Sequence, residues 1–321
     1  MKGRLTVALV LTVLLTAGGC AKPVTIDESK LVDITWVNWD TGTSDNGTVE
    51  RHALFLPVRV GDKEALFQLD TGRGNTLLNR AALDRLGVKY TPVPVGTATS
   101  PRTVAKVTFS LGDYRREVTT DLEDWGNLDP PQGHFTDETG RVIELPDFMV
   151  GTLGNDLFKG ASLYIDFERG KIAAFSKPPR VRGKSAPFRM VADMLPVLTL
   201  EGERPLNALF DTGSSALDLV VGMDTFREIT GSDAKTGATR RLRGLRSGPD
   251  DVDLYGLPRE MTYRTGELTL DFQTLWATPL VDTLDVQTAG QVDSIFGNVA
   301  FRSDRILLDF AAGRLTVLDP P

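Results

Sequence analysis

The feature that most constrains this chain is that it repeats itself. Gly61-Asp62-Lys63-Glu64-Ala65-Leu66-Phe67-Gln68-Leu69-Asp70-Thr71-Gly72 has a counterpart in Gly202-Glu203-Arg204-Pro205-Leu206-Asn207-Ala208-Leu209-Phe210-Asp211-Thr212-Gly213, with nine residues from first Gly to Asp in both. Further on, Thr152-Leu153-Gly154-Asn155 pairs with Ile295-Phe296-Gly297-Asn298. Twelve residues after each of those glycines an aspartate stands inside an apolar run, Ile165-Asp166-Phe167 and Leu308-Asp309-Phe310, and Gly170 and Gly313 close the two runs. The paired landmarks lie 141, 143 and 143 residues apart. Landmarks that hold register over so long a stretch mark a duplication, so the fold is built from two similar units.

Short apolar runs bounded by Gly, Pro and Asp dominate both units: Ala53–Val60, Ala65–Leu69, Leu163–Phe167, Leu206–Phe210 and Ile306–Phe310. These are strand signals, and they make the chain mostly β. Helical periodicity is convincing near Asn75–Leu86 and weaker near Asp224–Ile229 and after Gly154 and Gly297. Residues 20–50 are polar and read as a tether. A break at Ser176–Arg180, continuing to about Pro187, separates a first lobe at 51–176 from a second at 188–321.

The N-terminus carries its own signature. Met1-Lys2-Gly3-Arg4 is followed by an apolar run from Leu5 to Leu15 and then by Thr16-Ala17-Gly18-Gly19-Cys20. A basic start, a short apolar stretch and small residues describe an export signal over residues 1–19, too short for a membrane span. The segment resembles the lipobox of bacterial lipoproteins, with Ala17 where that family most often has Leu. The resemblance implies that Cys20, the only cysteine, is lipidated and anchors the chain at the cell envelope. With Ala21 and no Asp after the cysteine, it favours the outer membrane, facing the periplasm, in a cell with two membranes. One cysteine excludes an internal disulfide and, with two histidines, excludes a Cys/His zinc site. A triad-type hydrolase would depend on His52 or His134. The formal charge of −7 argues against nucleic acid as a partner.

An Asp at the end of a buried strand with Gly two residues on sits in a tight turn, and the intervening Thr can brace that turn. Two such turns meeting across a pseudo-two-fold axis bring two carboxylates together. Like charges so placed cannot both ionise, so the pair shares a proton. One carboxylate then activates water while the other protonates an amide carbonyl.

With these motifs in hand, the chain resembles the two-lobed pepsin/retropepsin-type aspartyl proteases of bacteria over roughly residues 53–320. The resemblance implies an all-β, pepsin-like fold of two lobes formed by internal duplication, with a cleft between them. It implies Asp70 and Asp211 as the catalytic pair, Thr71 and Thr212 as the mutual grip between lobes, and Gly72 and Gly213 as the turn glycines. Ser214 matches the residue that bonds the outer carboxylate oxygen, and Gly154 and Gly297 match the structural glycines. The activity implied is that of an aspartic endopeptidase acting on peptide or protein substrates without cofactor or metal. Arg73 departs from the family's Ser, Ala or Thr at its position; it either pairs with Asp70 and lowers its pKa or faces the cleft and binds an acidic group. That departure supports a second reading, a non-catalytic lipoprotein holding extended peptide or another envelope ligand in the same cleft.

Other features are secondary. A third Asp-Thr-Gly, Asp40-Thr41-Gly42, lacks the hairpin before it and the distal glycine after it, so Asp40 reads as a turn residue. A flap hairpin is expected at about Pro94–Phe109, flanked by Tyr90 and Tyr114 with no tyrosine of its own. The stretch holding Arg240, Arg241, Arg243, Arg246, Asp250, Asp251 and Asp253 reads as a solvated loop whose charges cancel, or else as a basic rim for acidic peptides or anionic lipid. His134 reads as exposed, and Asp166 and Asp309 as turn anchors.

Overall fold

The computed structural model describes residues 26–320 apart from 43–46, 98–99, 125–132, 145–148, 193 and 248–249. The signal segment and Cys20 lie outside the described residues. Among these residues no helix is long and apolar enough to cross a membrane.

The protein is predominantly β. Its first half contributes β1 (Val32–Asp33), β2 (Thr35–Asp40), β3 (Thr48–Val60), β4 (Lys63–Leu69), β5 (Leu77–Asn79), β6 (Pro92–Thr97), β7 (Ser100–Leu111), β8 (Tyr114–Glu123), β9 (His134–Asp137), β10 (Val142–Ile143), β11 (Met149–Leu153), β12 (Ser162–Asp166) and β13 (Lys171–Phe175). The second half contributes β14 (Gly183–Pro187), β15 (Arg189–Val191), β16 (Leu195–Leu200), β17 (Leu206–Phe210), β18 (Leu219–Val221), β19 (Arg240–Ser247), β20 (Asp250–Thr265), β21 (Leu268–Ala277), β22 (Ser294–Phe296), β23 (Arg305–Asp309) and β24 (Arg314–Leu318).

They form three sheets. One runs β10-β9-β2-β3-β4-β11-β5-β8-β7-β6 and another β15-β16-β17-β22-β18-β21-β20-β19. The run β3-β4-β11-β5-β8-β7-β6 of the first and β16-β17-β22-β18-β21-β20-β19 of the second share one order. They also share directions: β11 is parallel to β4 and antiparallel to β5, and β22 is parallel to β17 and antiparallel to β18. The third sheet, β1-β13-β12-β23-β24-β14, joins the halves, with Ile165 opposite Ile306 and Leu163 opposite Leu308. Beside this sheet the halves share a core, where Phe158 stacks on Phe310 at 6.0 Å and Phe310 meets Phe188 edge-on. Asp166 and Asp309 end the central strands. Asp166 accepts from the Arg169 amide at 2.9 Å and Asp309 from the Ala311 and Ala312 amides, so each ties its own hairpin turn.

Several expectations need correction. The stretch read as a tether carries β1, β2 and the start of β3, and buries Trp36 and Trp39. Trp36 packs in one core cluster and Val37 with Trp39 in another, so three of the six residues of β2 are buried while its composition stays hydrophilic. The interlobe break contains β14, paired along its length with β24. Asn75–Leu86 is helical only over Arg80–Leu86, because Leu77–Asn79 is claimed by β11 and β8. The arginine-rich stretch is a hairpin, β19–β20, rather than a loop. Within it Arg241 pairs with Asp253 and lies over the Tyr255 ring, and Arg240 lies over Trp276.

Candidate functional site

The two halves meet where β4 and β17 end. Asp70 follows β4 and Asp211 follows β17; each backbone amide is caught by the strand threaded alongside, Asp70 by the Leu153 carbonyl at 3.1 Å and Asp211 by that of Phe296 at 3.0 Å. Both turns then close in the same way, the Arg73 amide donating to the Asp70 carbonyl and the Ser214 amide to that of Asp211.

Between the turns, Thr71 and Thr212 are locked into each other. The Thr71 amide donates to Thr212 Oγ1 at 3.0 Å, and that hydroxyl donates to the Leu69 carbonyl at 3.0 Å. Reciprocally, the Thr212 amide donates to Thr71 Oγ1 at 2.9 Å, and the Thr71 hydroxyl donates to the Phe210 carbonyl at 2.7 Å. All four bonds cross from one half to the other, and both threonines are buried.

This lock brings the aspartates side by side. Asp70 Oδ1 and Asp211 Oδ1 both border the space beside Gly213, 2.9 and 3.0 Å from where its Cβ would stand, so the two carboxyls face each other, and like charges so placed favour a single proton held between them. Burial raises the Asp70 pKa well above the usual carboxylate range; the charge of Asp211 raises it further, and Arg73 offsets only part of this. Asp211 is met by more donors. Its Oδ1 accepts from the Gly213 amide at 2.8 Å and the Gly72 amide at 3.1 Å, and its Oδ2 from the Ser214 hydroxyl at 2.8 Å. More donors therefore face Asp211 than Asp70, an arrangement that favours the shared proton on Asp70. Both keep some accessible surface, so water can reach the pair.

The glycines are required by close approach. A Cβ on Gly72 would stand 2.5 Å from Asp211 Cγ, and one on Gly213 would lie within 3.0 Å of both aspartates. The distal glycines serve the threading: a Cβ on Gly154 would strike the Asn75 carbonyl carbon at 2.5 Å, and one on Gly297 the Ser214 carbonyl oxygen at 1.7 Å.

Arg73 stands where the other half has Ser214, yet does not replace its hydroxyl. Its Nε donates to the Asn75 carbonyl at 3.0 Å, and among the described residues it makes no ion pair with Asp70 within 4.0 Å. Of its two possible roles, a direct ion pair is thus not what the structure contains; its influence on Asp70 is through space.

The sequence reading assigned no role to Asn155 and Asn298, which hold the turns from behind. Asn155 Nδ2 donates to the Thr71 carbonyl at 2.7 Å and to that of Met194, while Asn298 Nδ2 donates to the Thr212 carbonyl at 3.2 Å and to Ser215 Oγ at 2.7 Å. Both follow a threaded glycine, so the repeated Gly-Asn was the available signal. Asp156 adds support to the first half alone, accepting from the Thr76 hydroxyl at 2.7 Å and from its amide.

The remaining candidates lie elsewhere. Asp40 ends β2 and accepts from the Gly42 amide at 2.9 Å, with His134 3.7 Å away. His52 stacks on Phe135 and meets Trp39 at a tilt, and burial pushes its pKa down to about 4. The hairpin β6–β7 spans Pro92–Leu111; of its flanking tyrosines, Tyr90 bonds Asp84 and Tyr114 bonds the Leu157 carbonyl. No family model matches the chain, and no curated protein matches it.

Proposed function

We propose that this chain is an aspartic endopeptidase with a two-lobed, pepsin-like fold that arose by duplication, exported and held at the cell envelope through a lipid on Cys20. The observation that carries the reading is the juxtaposition of Asp70 and Asp211, one carboxyl from each half, on turns locked through Thr71 and Thr212. The matching strand order of the two large sheets supports the duplication.

The chemistry follows from where the proton sits. Asp211, anionic and held by three donors, takes a proton from a water placed between the carboxyls. The water oxygen bonds to the amide carbon as Asp70 gives its proton to the carbonyl oxygen. The resulting diol collapses: the C–N bond breaks, the amine takes the proton from Asp211, and a hydroxyl proton returns to Asp70. The site is then back in its starting state. No cofactor enters this cycle. The raised pKa of Asp70 keeps its proton in place at pH values where an ordinary carboxyl has lost it.

The second reading is a binding protein that captures extended peptide in the same cleft without hydrolysing it. Arg73 favours it, because its charge works against the proton on Asp70. Hydrolysis of an unstructured protein across a range of pH, with and without pepstatin, separates the two. Asp70→Asn and Asp211→Asn each abolish hydrolysis, and the double variant is no worse than either single, since neither group works alone. Asp40→Asn leaves the rate unchanged. Robust cleavage that persists in Asp211→Asn would falsify the assignment, whereas a wild type without cleavage that still binds peptide identifies the binding protein.

A further inference from the structure

Besides the aspartate pair, the first half carries a basic cavity that the proposed chemistry does not use. It measures about 450 Å³ and its lining includes Arg59, Lys89, Lys106, Thr108, Ser110 and Arg115. Strand register explains the cluster. Arg59 on β3 is opposite Ser110 on β7, and Ser110 is opposite Arg115 on β8, so the three share one row on one sheet face. Lys106 and Thr108 keep the same parity along β7 and fall on that face too. Lys89 joins from the chain after the helix Arg80–Leu86.

The charge balance is lopsided for so acidic a protein. Four exposed cations ring the cavity, and Glu117 bonds Lys106 at 2.6 Å. Glu64 lies opposite Arg59 across the β3–β4 pair. Among the described residues, Arg59, Lys89 and Arg115 have no carboxylate within 4.0 Å. Exposed cations above two half-buried hydroxyls make a site for a phosphate group, with the charge supplied by the first and directed hydrogen bonds by the second.

The course of the N-terminal segment selects the source of that phosphate. Lys30 Nζ pairs with Asp113 at 3.9 Å, and the Lys30 carbonyl oxygen lies 3.1 Å from where a Cβ on Gly112 would be. Gly112 and Asp113 form the β7–β8 turn, two residues from Ser110 and two from Arg115. The N-terminal segment therefore passes beside the cavity at Lys30 and is next held at Glu28, which pairs with Arg169. The ten residues from Cys20 to Lys30 reach at most about 35 Å, so an anchor at Cys20 keeps this face near the lipid surface.

We infer that the Arg59–Lys89–Lys106–Arg115 cavity is a docking site for the phosphate of an anionic lipid headgroup and sets how the body sits on its membrane. Only the choice of lipid over free phosphate rests on the anchored reading. A net-negative chain is repelled by an anionic bilayer, and a local basic site orients it against that repulsion.

The test uses the full chain carrying Cys20→Ser, so that no acyl chain contributes and the outcome is independent of whether Cys20 is lipidated. Binding is measured to phosphatidylcholine vesicles and to phosphatidylcholine–phosphatidylglycerol vesicles; the difference removes any adhesion of the Leu5–Leu15 segment. Each basic residue at an anionic surface contributes about fivefold in affinity. The phosphatidylglycerol preference should therefore fall about twenty-five-fold in Arg59→Gln/Arg115→Gln, shrink with salt, and survive in Arg302→Gln/Arg314→Gln, which removes two exposed charges elsewhere. Thermal unfolding of both variants close to that of the parent confirms that folding is intact. Absence of a phosphatidylglycerol preference, or equal losses in the two double variants, overturns the proposal. So does a parent chain that binds inorganic phosphate through Arg59 and Arg115 while its vesicle preference ignores them, which would make the ligand a free phosphate.

Discussion

Thr71→Val tests the lock between the halves. Valine has nearly the shape of threonine, so the substitution opens no sizeable cavity and isolates the hydroxyl. Two bonds go with that hydroxyl: the one it donates to the Phe210 carbonyl and the one it accepts from the Thr212 amide. Both backbone groups lie where Thr71 and Thr212 are 1% and 0% exposed, out of reach of replacement water. An unsatisfied buried group costs about 1–3 kcal/mol, so the variant should lose about 2–6 kcal/mol, a large share of the ~5–15 kcal/mol typical of a folded domain. In urea this lowers the midpoint by roughly 1–3 M at a slope of about 2 kcal/mol per molar. Thr71→Ser keeps the hydroxyl, gives up one methyl and should recover most of the loss. Activity supplies an independent readout, because a loosened lock lets the carboxyls drift from a geometry in which small displacements matter. kcat should fall in Thr71→Val with KM little changed. A valine variant as stable as wild type, or a serine variant as damaged as valine, would refute the role given to these two bonds.

Arg73→Ser removes the cation that draws the Asp70 pKa down, so Asp70 should hold its proton to higher pH; the pH–rate profile should extend toward neutrality, and a profile and peptide affinity both identical to wild type would reject any role for Arg73. His52, with its pKa depressed from 6.5 to about 4, contributes stability that is present above pH ~6.5 and lost as pH falls toward 4, at most about 3 kcal/mol over that window. His52→Leu should therefore flatten the acid limb of a plot of urea midpoint against pH, and an unchanged limb counts against the buried neutral imidazole. Raised groups such as Asp70 and Asp293 act in the opposite sense, since protonation favours the folded state as pH falls. Cys20→Ser should release the protein from membranes or leave an uncleaved precursor; lipid labelling that persists in this variant excludes Cys20 as the acceptor.

What could be read from the sequence was whatever the backbone could not vary. Gly72 and Gly213 sit where a Cβ would strike the aspartate of the opposite half, and Gly154 and Gly297 where one would strike the turn of their own half, so their spacing is rigid and the repeat stands out. The missing parts are those whose residue types are set by solvent. β2 hides two buried indoles among Thr, Asn and Asp. The β19–β20 hairpin exposes Arg240, Arg241 and Arg243 while burying Leu242 and Leu254, and charge density alone resembles a loop. The helix Pro279–Gln287 passed unnoticed, although Thr278 caps it and Pro279 opens it, because its acidic residues blur the apolar stripe. Asn155 and Asn298 act through bonds to the carbonyls of distant threonines, a relation with no local pattern beyond Gly-Asn itself.

The repeat also explains where symmetry must fail. Two identical turns would present equivalent carboxyls with the shared proton equally at home on either. Here the backbone of the turns is closely matched, down to the amide three residues on bonding back to each aspartate carbonyl, and the difference lies in side chains. Ser214 gives Asp211 a hydroxyl donor; Arg73, at the same place in the other half, turns its Nε to Asn75 and gives Asp70 none. The Gly72 amide meanwhile reaches across to Asp211. Donors therefore gather on Asp211, which favours the shared proton on Asp70. On the proposed reading, the acid and base roles that a perfect duplicate would leave undecided follow from Ser214 standing opposite Arg73 and from the crossing Gly72 amide, in a frame that is otherwise shared.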